Sequence, residues 1–109
     1  MIKQIKSSEI KKLLTGNKNV ELLDVRTQDE WDDVGKPDGE NLGLKTHFIT
    51  IARSSDPETN KEFIEKVKKV INPKKDLLVM CKAGGRSMMA SQLLTQEKIN
   101  CINVSDGFE

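Results

Sequence analysis

Apolar residues in this chain gather into short continuous runs, separated by stretches where they return every three or four positions. Ile2 to Ile5 reads as a short edge strand. Val20-Glu21-Leu22-Leu23-Asp24-Val25 is a compact run bounded by turn residues and suits a buried strand. Thr46 to Ile51 predicts a further strand, and Cys101 to Val104 the last. Leu77-Leu78-Val79-Met80 is apolar without alternation, which fits a strand covered on both faces. Between these runs the spacing is helical. Ser7 or Ser8 can cap a helix over about residues 8–14, with Ile10, Leu13 and Leu14 on one side, until Gly16-Asn17 stops it. Thr27 with Glu30 three positions later forms a capping-box signature for a short helix ending near Trp31. Gly35 to Gly43 reads as loop, and Ser54 to Asn60 as a polar connection. A helix over about 58–70 carries Phe63, Ile64, Val67, Val70 and Ile71 on one face. Another opens at Ser87 and runs through Met88, Met89, Leu93 and Leu94. Strands alternating with helices imply a small three-layer α/β/α domain around a mainly parallel sheet.

Length and charge narrow the classes of function. With 109 residues and no repeat or linker, the expectation is a single domain over 1–109. Eighteen basic and 17 acidic residues leave a net charge of +1, too small a field to argue for nucleic acid or an anionic membrane as partner. No apolar run approaches the ~18 residues of a membrane span, and Met1 leads into a strand rather than a signal peptide, so the expected compartment is the cytoplasm. Two cysteines, Cys81 and Cys101, have no metal or redox spacing and read as independent thiols. The ending Asp106-Gly107-Phe108-Glu109 resembles the start of an element more than a finish, which suggests a C-terminal truncation or tail.

The chemistry concentrates where the most apolar strand breaks. Cys81 sits at that strand's carboxyl end and is followed by Lys82-Ala83-Gly84-Gly85-Arg86-Ser87 and a helix. Ligands of open α/β sheets bind at carboxyl strand ends. Gly84 and Gly85 allow the backbone to turn its N–H groups inward as an anion-binding nest, to which the helix N-terminus adds its own dipole. Lys82 and Arg86 add positive charge. In that setting the Cys81 thiol is expected to ionise below the usual ~8.5.

The loop Cys81-Lys82-Ala83-Gly84-Gly85-Arg86-Ser87 resembles the active-site loop of the rhodanese superfamily. Leu22-Leu23-Asp24-Val25-Arg26 with Glu30-Trp31 is similar to the family's D-x-R segment and its acidic–aromatic pair. Asp106-Gly107-Phe108 is similar to the turn after its last strand. The middle departs: Gly35-Lys36-Pro37-Asp38-Gly39-Glu40-Asn41 replaces a histidine-containing turn, and the family's closing helix is absent from this sequence. The resemblance implies a sulfurtransferase without a cofactor. Cys81 would take a sulfane sulfur from a donor such as thiosulfate, hold it as a persulfide and pass it to a thiol or protein acceptor. Backbone N–H groups of residues 82–86 would stabilise the persulfide, and Arg86 would orient the loop and attract the donor. Asp24 and Arg26 would support it from the neighbouring strand.

Rival readings stay open. Phosphatases that share such a fold place five residues between cysteine and arginine, whereas Lys82 to Gly85 are four here, which leaves phosphatase or arsenate-reductase activity the less favoured rival. A rhodanese-like binding or sulfur-relay module is the other alternative. His47 has no ligand set around it and reads as structural or surface; Cys101 reads as a buried strand residue. At least one of Met88 and Met89 is expected in the core, and Trp31 at its edge. Asp29, Asp32 and Asp33 read as a solvated helix face rather than a metal site. No Walker or dinucleotide fingerprint occurs, nor a zinc constellation. Oligomeric state is not set by the sequence.

Overall fold

The computed structural model describes residues 2–16, 19–35, 44–52, 56–82 and 85–106. Its sheet has five strands: β1 (Lys3–Ile5), β2 (Val20–Asp24), β3 (Lys45–Phe48), β4 (Asp76–Met80) and β5 (Cys101–Val104). They lie in the order β1-β5-β4-β2-β3, and every pairing is parallel. Parallel neighbours need crossovers, which the helices α1 (Ile10–Gly16), α2 (Gln28–Val34), α3 (Pro57–Val70) and α4 (Gly85–Thr95) supply.

Both faces of the sheet are covered, which explains why β4 shows no alternation of polarity. On one face Leu22, Leu78, Met80, Ile102 and Val104 pack with Ile5, Ile10 and Leu44, with Leu13 and Leu14 of α1 against them. On the other, Leu23, Val25, Leu77, Val79 and Cys101 meet Phe63 and Val67 of α3 and Ala90 and Leu94 of α4. The result is the three-layer α/β/α arrangement expected from the sequence.

Boundaries differ in ways that local chemistry explains. The first helical segment opens as a 3-10 turn over Ser7–Glu9, capped by reciprocal bonds between Lys6 and Glu9 rather than by Ser7 or Ser8. The Thr27–Glu30 capping box forms, and α2 continues past Trp31 to Val34. It ends at Gly35, whose φ of 101° lies in the left-handed region that glycine tolerates best. Helix α3 begins at Pro57, pre-set for a first helical turn, with the Asp56 side chain accepting from the Glu58 N–H. Strand β3 is limited to Lys45–Phe48, because the Ile49 and Ile51 N–H groups already bond to Asp24 and Val25 as the chain leaves the sheet. Val70 does not share the buried face of α3: it is 43% exposed, whereas Val67 is fully buried. Helix α4 opens at Gly85, two residues before Ser87. The bulk of the Gly35–Gly43 loop, residues 53–55, Ala83, Gly84 and residues 107–109 lie outside the described residues.

The contrast within α3 is measurable. Val67→Ala removes two buried carbons and leaves a cavity, so it is expected to lower unfolding free energy by about 2 kcal/mol. Val70→Ala is expected to change it by less than about 0.5 kcal/mol. Urea denaturation of the two variants checks this; equal losses would place Val70 in the core after all.

Candidate functional site

The strand order has one reversal. From β2 the chain crosses outward to β3; from β4 it crosses the other way to β5. The carboxyl ends of β2 and β4 are neighbours, with Asp24 opposite Met80 in register. Connections that leave in opposite directions open a crevice at that point, where open parallel sheets bind ligands. Cys81 follows β4 directly, and Val25 and Arg26 follow β2. The parallel topology therefore brings the two sequence blocks to one place.

Each side of the crevice is pinned. Arg26 is fully buried and folds back on Asp24, its Nη2 2.8 Å and its Nε 3.1 Å from Asp24 Oδ2. The same Nη2 donates to the Gly35 carbonyl at 2.8 Å, and the Arg26 carbonyl accepts from Thr50 Oγ1 at 2.8 Å. Asp24 and Arg26 thus tie the end of β2 to the end of α2 and the exit of β3. A buried pair of this kind persists because its donors and acceptors are matched.

Across the crevice, Arg86 in the first turn of α4 grips Glu30 of α2 with both terminal nitrogens, at 2.6 and 2.8 Å. Glu30 also accepts from the Thr27 N–H and hydroxyl, so one carboxylate caps α2 and docks α4. The Arg86 hydrogen bonds lower the Glu30 pKa to about 2. Its hydrogen bonds to Glu30 in turn raise the pKa of Arg86, and charge on Cys81 adds a smaller contribution in the same direction. In the sequence Glu30 reads as a cap and as part of a family-like acidic–aromatic pair. Its partner Arg86 lies 56 positions away, beyond the reach of any local pattern.

Cys81 itself is 1% exposed, and its sulfur donates to Ser87 Oγ at 3.5 Å. Ser87 is buried beneath it, held by a hydrogen bond to Asn103 of β5, a residue no motif singled out. Ser91 donates to the Ser87 carbonyl one turn along α4. Gly85 opens α4 and Lys82 is exposed; Ala83 and Gly84 lie outside the described residues.

Other singled-out residues fall elsewhere. Cys101 is a buried strand residue whose thiol burial pushes up to about 11. His47 is buried rather than at the surface, 2.7 Å from Glu21 Oε1 on the neighbouring strand. Parallel pairing of β2 with β3 supplied an acidic partner invisible in the local sequence. Trp31 is buried and meets Phe48 edge-on at 5.3 Å. Among the described residues no group of three or more His, Cys, Asp or Glu is placed to hold a metal ion, and no helix is long and apolar enough to cross a membrane.

The Glu30–Arg86 pair has a pH signature. Glu30 has a folded pKa below its ordinary 4.5, so its stabilisation is complete above that value and lost as pH falls toward 2. Its side chain retains 23% exposure, so solvent screening limits the effect to about 1 kcal/mol. Glu30→Gln is expected to be less stable than the native chain by that amount at pH 7 and equally stable near pH 2. Thermal melts across pH check it; a constant difference would assign the loss to packing.

Comparison with known proteins gives this geometry its context. A rhodanese-like domain model matches residues 6–109. An uncharacterized protein of Rickettsia prowazekii is 35% identical over 112 residues, covering all of this chain and 85% of its own length. The crystal structure of Rv0390 from M. tuberculosis superposes with a TM-score of 0.80 at 32% identity, over 97% of this chain and 79% of that one. A rhodanese-like domain protein from Staphylococcus aureus shares the fold at a TM-score of 0.71 and 24% identity, over 97% of this chain and 87% of that one. The family model spans nearly the whole sequence, both strand ends and the loop between them, and the chain belongs to the rhodanese-like domain family.

Proposed function

We propose that this protein is a sulfurtransferase in which Cys81 carries sulfur as a persulfide between a small anionic donor and a thiophilic acceptor. The observation that carries the reading is the placement of Cys81 at the neighbouring ends of β2 and β4, against Ser87 in the first turn of α4, the turn that also bears Arg86. A cation and a helix N-terminus both favour an anionic sulfur over a neutral thiol.

In the first half-reaction the Cys81 thiolate attacks the outer sulfur of a donor such as thiosulfate. A new S–S bond forms at Cys81, the donor's S–S bond breaks, and sulfite leaves with the electron pair. In the second, a thiol or protein acceptor attacks the terminal persulfide sulfur and Cys81 departs as thiolate. Nothing is oxidised overall, and no bound cofactor takes part. Near-complete burial of Cys81 favours a small donor over a bulky one.

Roles divide accordingly. Cys81 is the nucleophile. Lys82 stands exposed at the crevice to attract anions. By the family resemblance, backbone N–H groups of residues 82–86 would stabilise the transferred sulfur. Arg86, with its terminal nitrogens occupied by Glu30, holds the loop against α2 and contributes charge rather than a free fork. Ser87 touches the sulfur directly. Asp24 and Arg26 support the loop from β2 without entering the chemistry. The acceptor is a thiol or a partner protein in the cytoplasm.

Intact mass spectrometry after incubation with thiosulfate tests the reading. The native protein is expected to gain one sulfur atom that cyanide removes, and Cys81→Ser to gain none. Absence of a gain on the native protein would reject thiosulfate as donor and turn attention to protein persulfides. Retention of the gain in Cys81→Ser would reject Cys81 as carrier. Cys101 serves as an internal standard: with its thiol pushed up to about 11, its alkylation is expected to be slow at pH 7 and to accelerate only in strong base. Peptide mapping after timed exposure to iodoacetamide measures it; fast labelling at pH 7 would contradict its burial.

A further inference from the structure

A polar chain leads away from the proposed nucleophile on the face of the sheet that α4 covers. Cys81 Sγ donates to Ser87 Oγ at 3.5 Å, Ser87 Oγ donates to Asn103 Oδ1 at 2.5 Å, and Asn103 Nδ2 donates to Gln4 Oε1 at 3.2 Å. Cys81, Ser87 and Asn103 are each no more than 1% exposed. Gln4 lies beside Asn103 in the β1–β5 register and opens to solvent. Asn103 is an amide within a strand whose other members, Cys101, Ile102 and Val104, are apolar. Burying it costs free energy that only its hydrogen bonds offset.

The direction of this chain depends on the charge of the sulfur. A neutral thiol can donate, whereas a thiolate or a terminal persulfide can only accept. Ser87 has a single hydroxyl hydrogen, so it points either at Asn103 or at the sulfur. Side-chain amides present a donor and an acceptor in nearly the same positions and exchange them by a half-turn. We propose that Asn103 and Gln4 are positioning residues that adjust the reactivity of Cys81 through Ser87, by reversing the polarity of this chain when the sulfur becomes anionic. In the reversed state the Gln4 amide donates to Asn103 Oδ1, Asn103 Nδ2 donates to Ser87 Oγ, and the Ser87 hydroxyl donates to sulfur. No proton travels along the chain: the Cys81 proton leaves to a base in solution, and each bond changes direction by rotation. The inference rests on Cys81 being the nucleophile and is independent of the identity of the donor.

Other charged groups around Cys81 are Arg86 of α4 with its partner Glu30 of α2, the Asp24–Arg26 pair at the end of β2, and the adjacent Lys82. Substitution at Gln4 or Asn103 leaves each of these residues in the chain. The test is the pH midpoint of Cys81 alkylation by iodoacetamide, followed by peptide mass at moderate salt. Gln4→Glu places a group that only accepts at the outer end of the chain. It fixes the thiol polarity and is expected to raise the midpoint by about one pH unit. Gln92→Glu puts the same charge on an exposed residue of α4 lining the same surface groove as Gln4, outside the hydrogen-bonded chain. Screening should hold its effect below about 0.2 unit. Asn103→Asp is expected to act in the same direction as Gln4→Glu, and the Gln4 arm decides alone if a buried carboxylate prevents folding.

Equal midpoints for native protein and Gln4→Glu, or equal shifts for Gln4→Glu and Gln92→Glu, would overturn the proposal. Loading with thiosulfate separates it from the sulfurtransferase reading. A shifted midpoint without sulfur uptake retains the relay and removes the donor. Uptake with an unshifted midpoint does the reverse.

Discussion

The pairing of β2 with β4 is the constraint from which the rest of this molecule follows. These strands are distant in sequence, yet their register sets Asp24 beside Met80 and so brings the residues after each to the same edge of the sheet. The chain must leave β2 and β4 in opposite directions because β3 and β5 occupy opposite sides. The two strand ends therefore meet where open parallel sheets bind ligands, and the charged residues there are held both within the end of β2, Arg26 to Asp24, and between elements, Arg86 to Glu30. Loss of this register by one residue would turn either Leu22 of β2 or Leu78 and Met80 of β4 toward the wrong helical layer.

Glu30 shows how a small domain makes one side chain serve two needs. The carboxylate satisfies the first turn of α2 and simultaneously fixes the start of α4 through Arg86. Helix ends carry unsatisfied N–H groups, so an acidic residue there is already favoured by the helix it caps. Adding an arginine from the opposite side uses the remaining lone pairs and gives the partly buried guanidinium its partner. The first turn of α4 is thereby set relative to α2, and with it the frame in which Cys81 and Ser87 meet.

Much of the fold was legible because burial on both faces leaves continuous apolar runs, and because Thr27 and Glu30 announce a helix start in their own spacing. The position of Cys81 at a strand end was legible for the same reason: the run Leu77–Met80 stops there. What could not be read was mostly long-range. Arg86 with Glu30, Asn103 with Ser87 and His47 with Glu21 are partners only once parallel crossovers have placed them, and no local pattern encodes that. Smaller discrepancies were local. Val70 fits a helical stripe by count but lies at its margin, where 3.6-residue periodicity leaves a residue inside or outside according to the neighbour it meets. The start of α4 at Gly85 is not legible in the sequence because glycine is a poor helix former.

The buried ion pair of Asp24 and Arg26 has a consequence for how such a sequence can vary. Changing Asp24 alone strands a guanidinium in a site with almost no access to water; changing Arg26 alone strands a carboxylate and frees the Gly35 carbonyl and its loop. Each single step is costlier than a joint replacement by apolar residues that fill the same volume. The two positions therefore behave as one heritable unit, separated by a single residue in the chain but open to exchange only together.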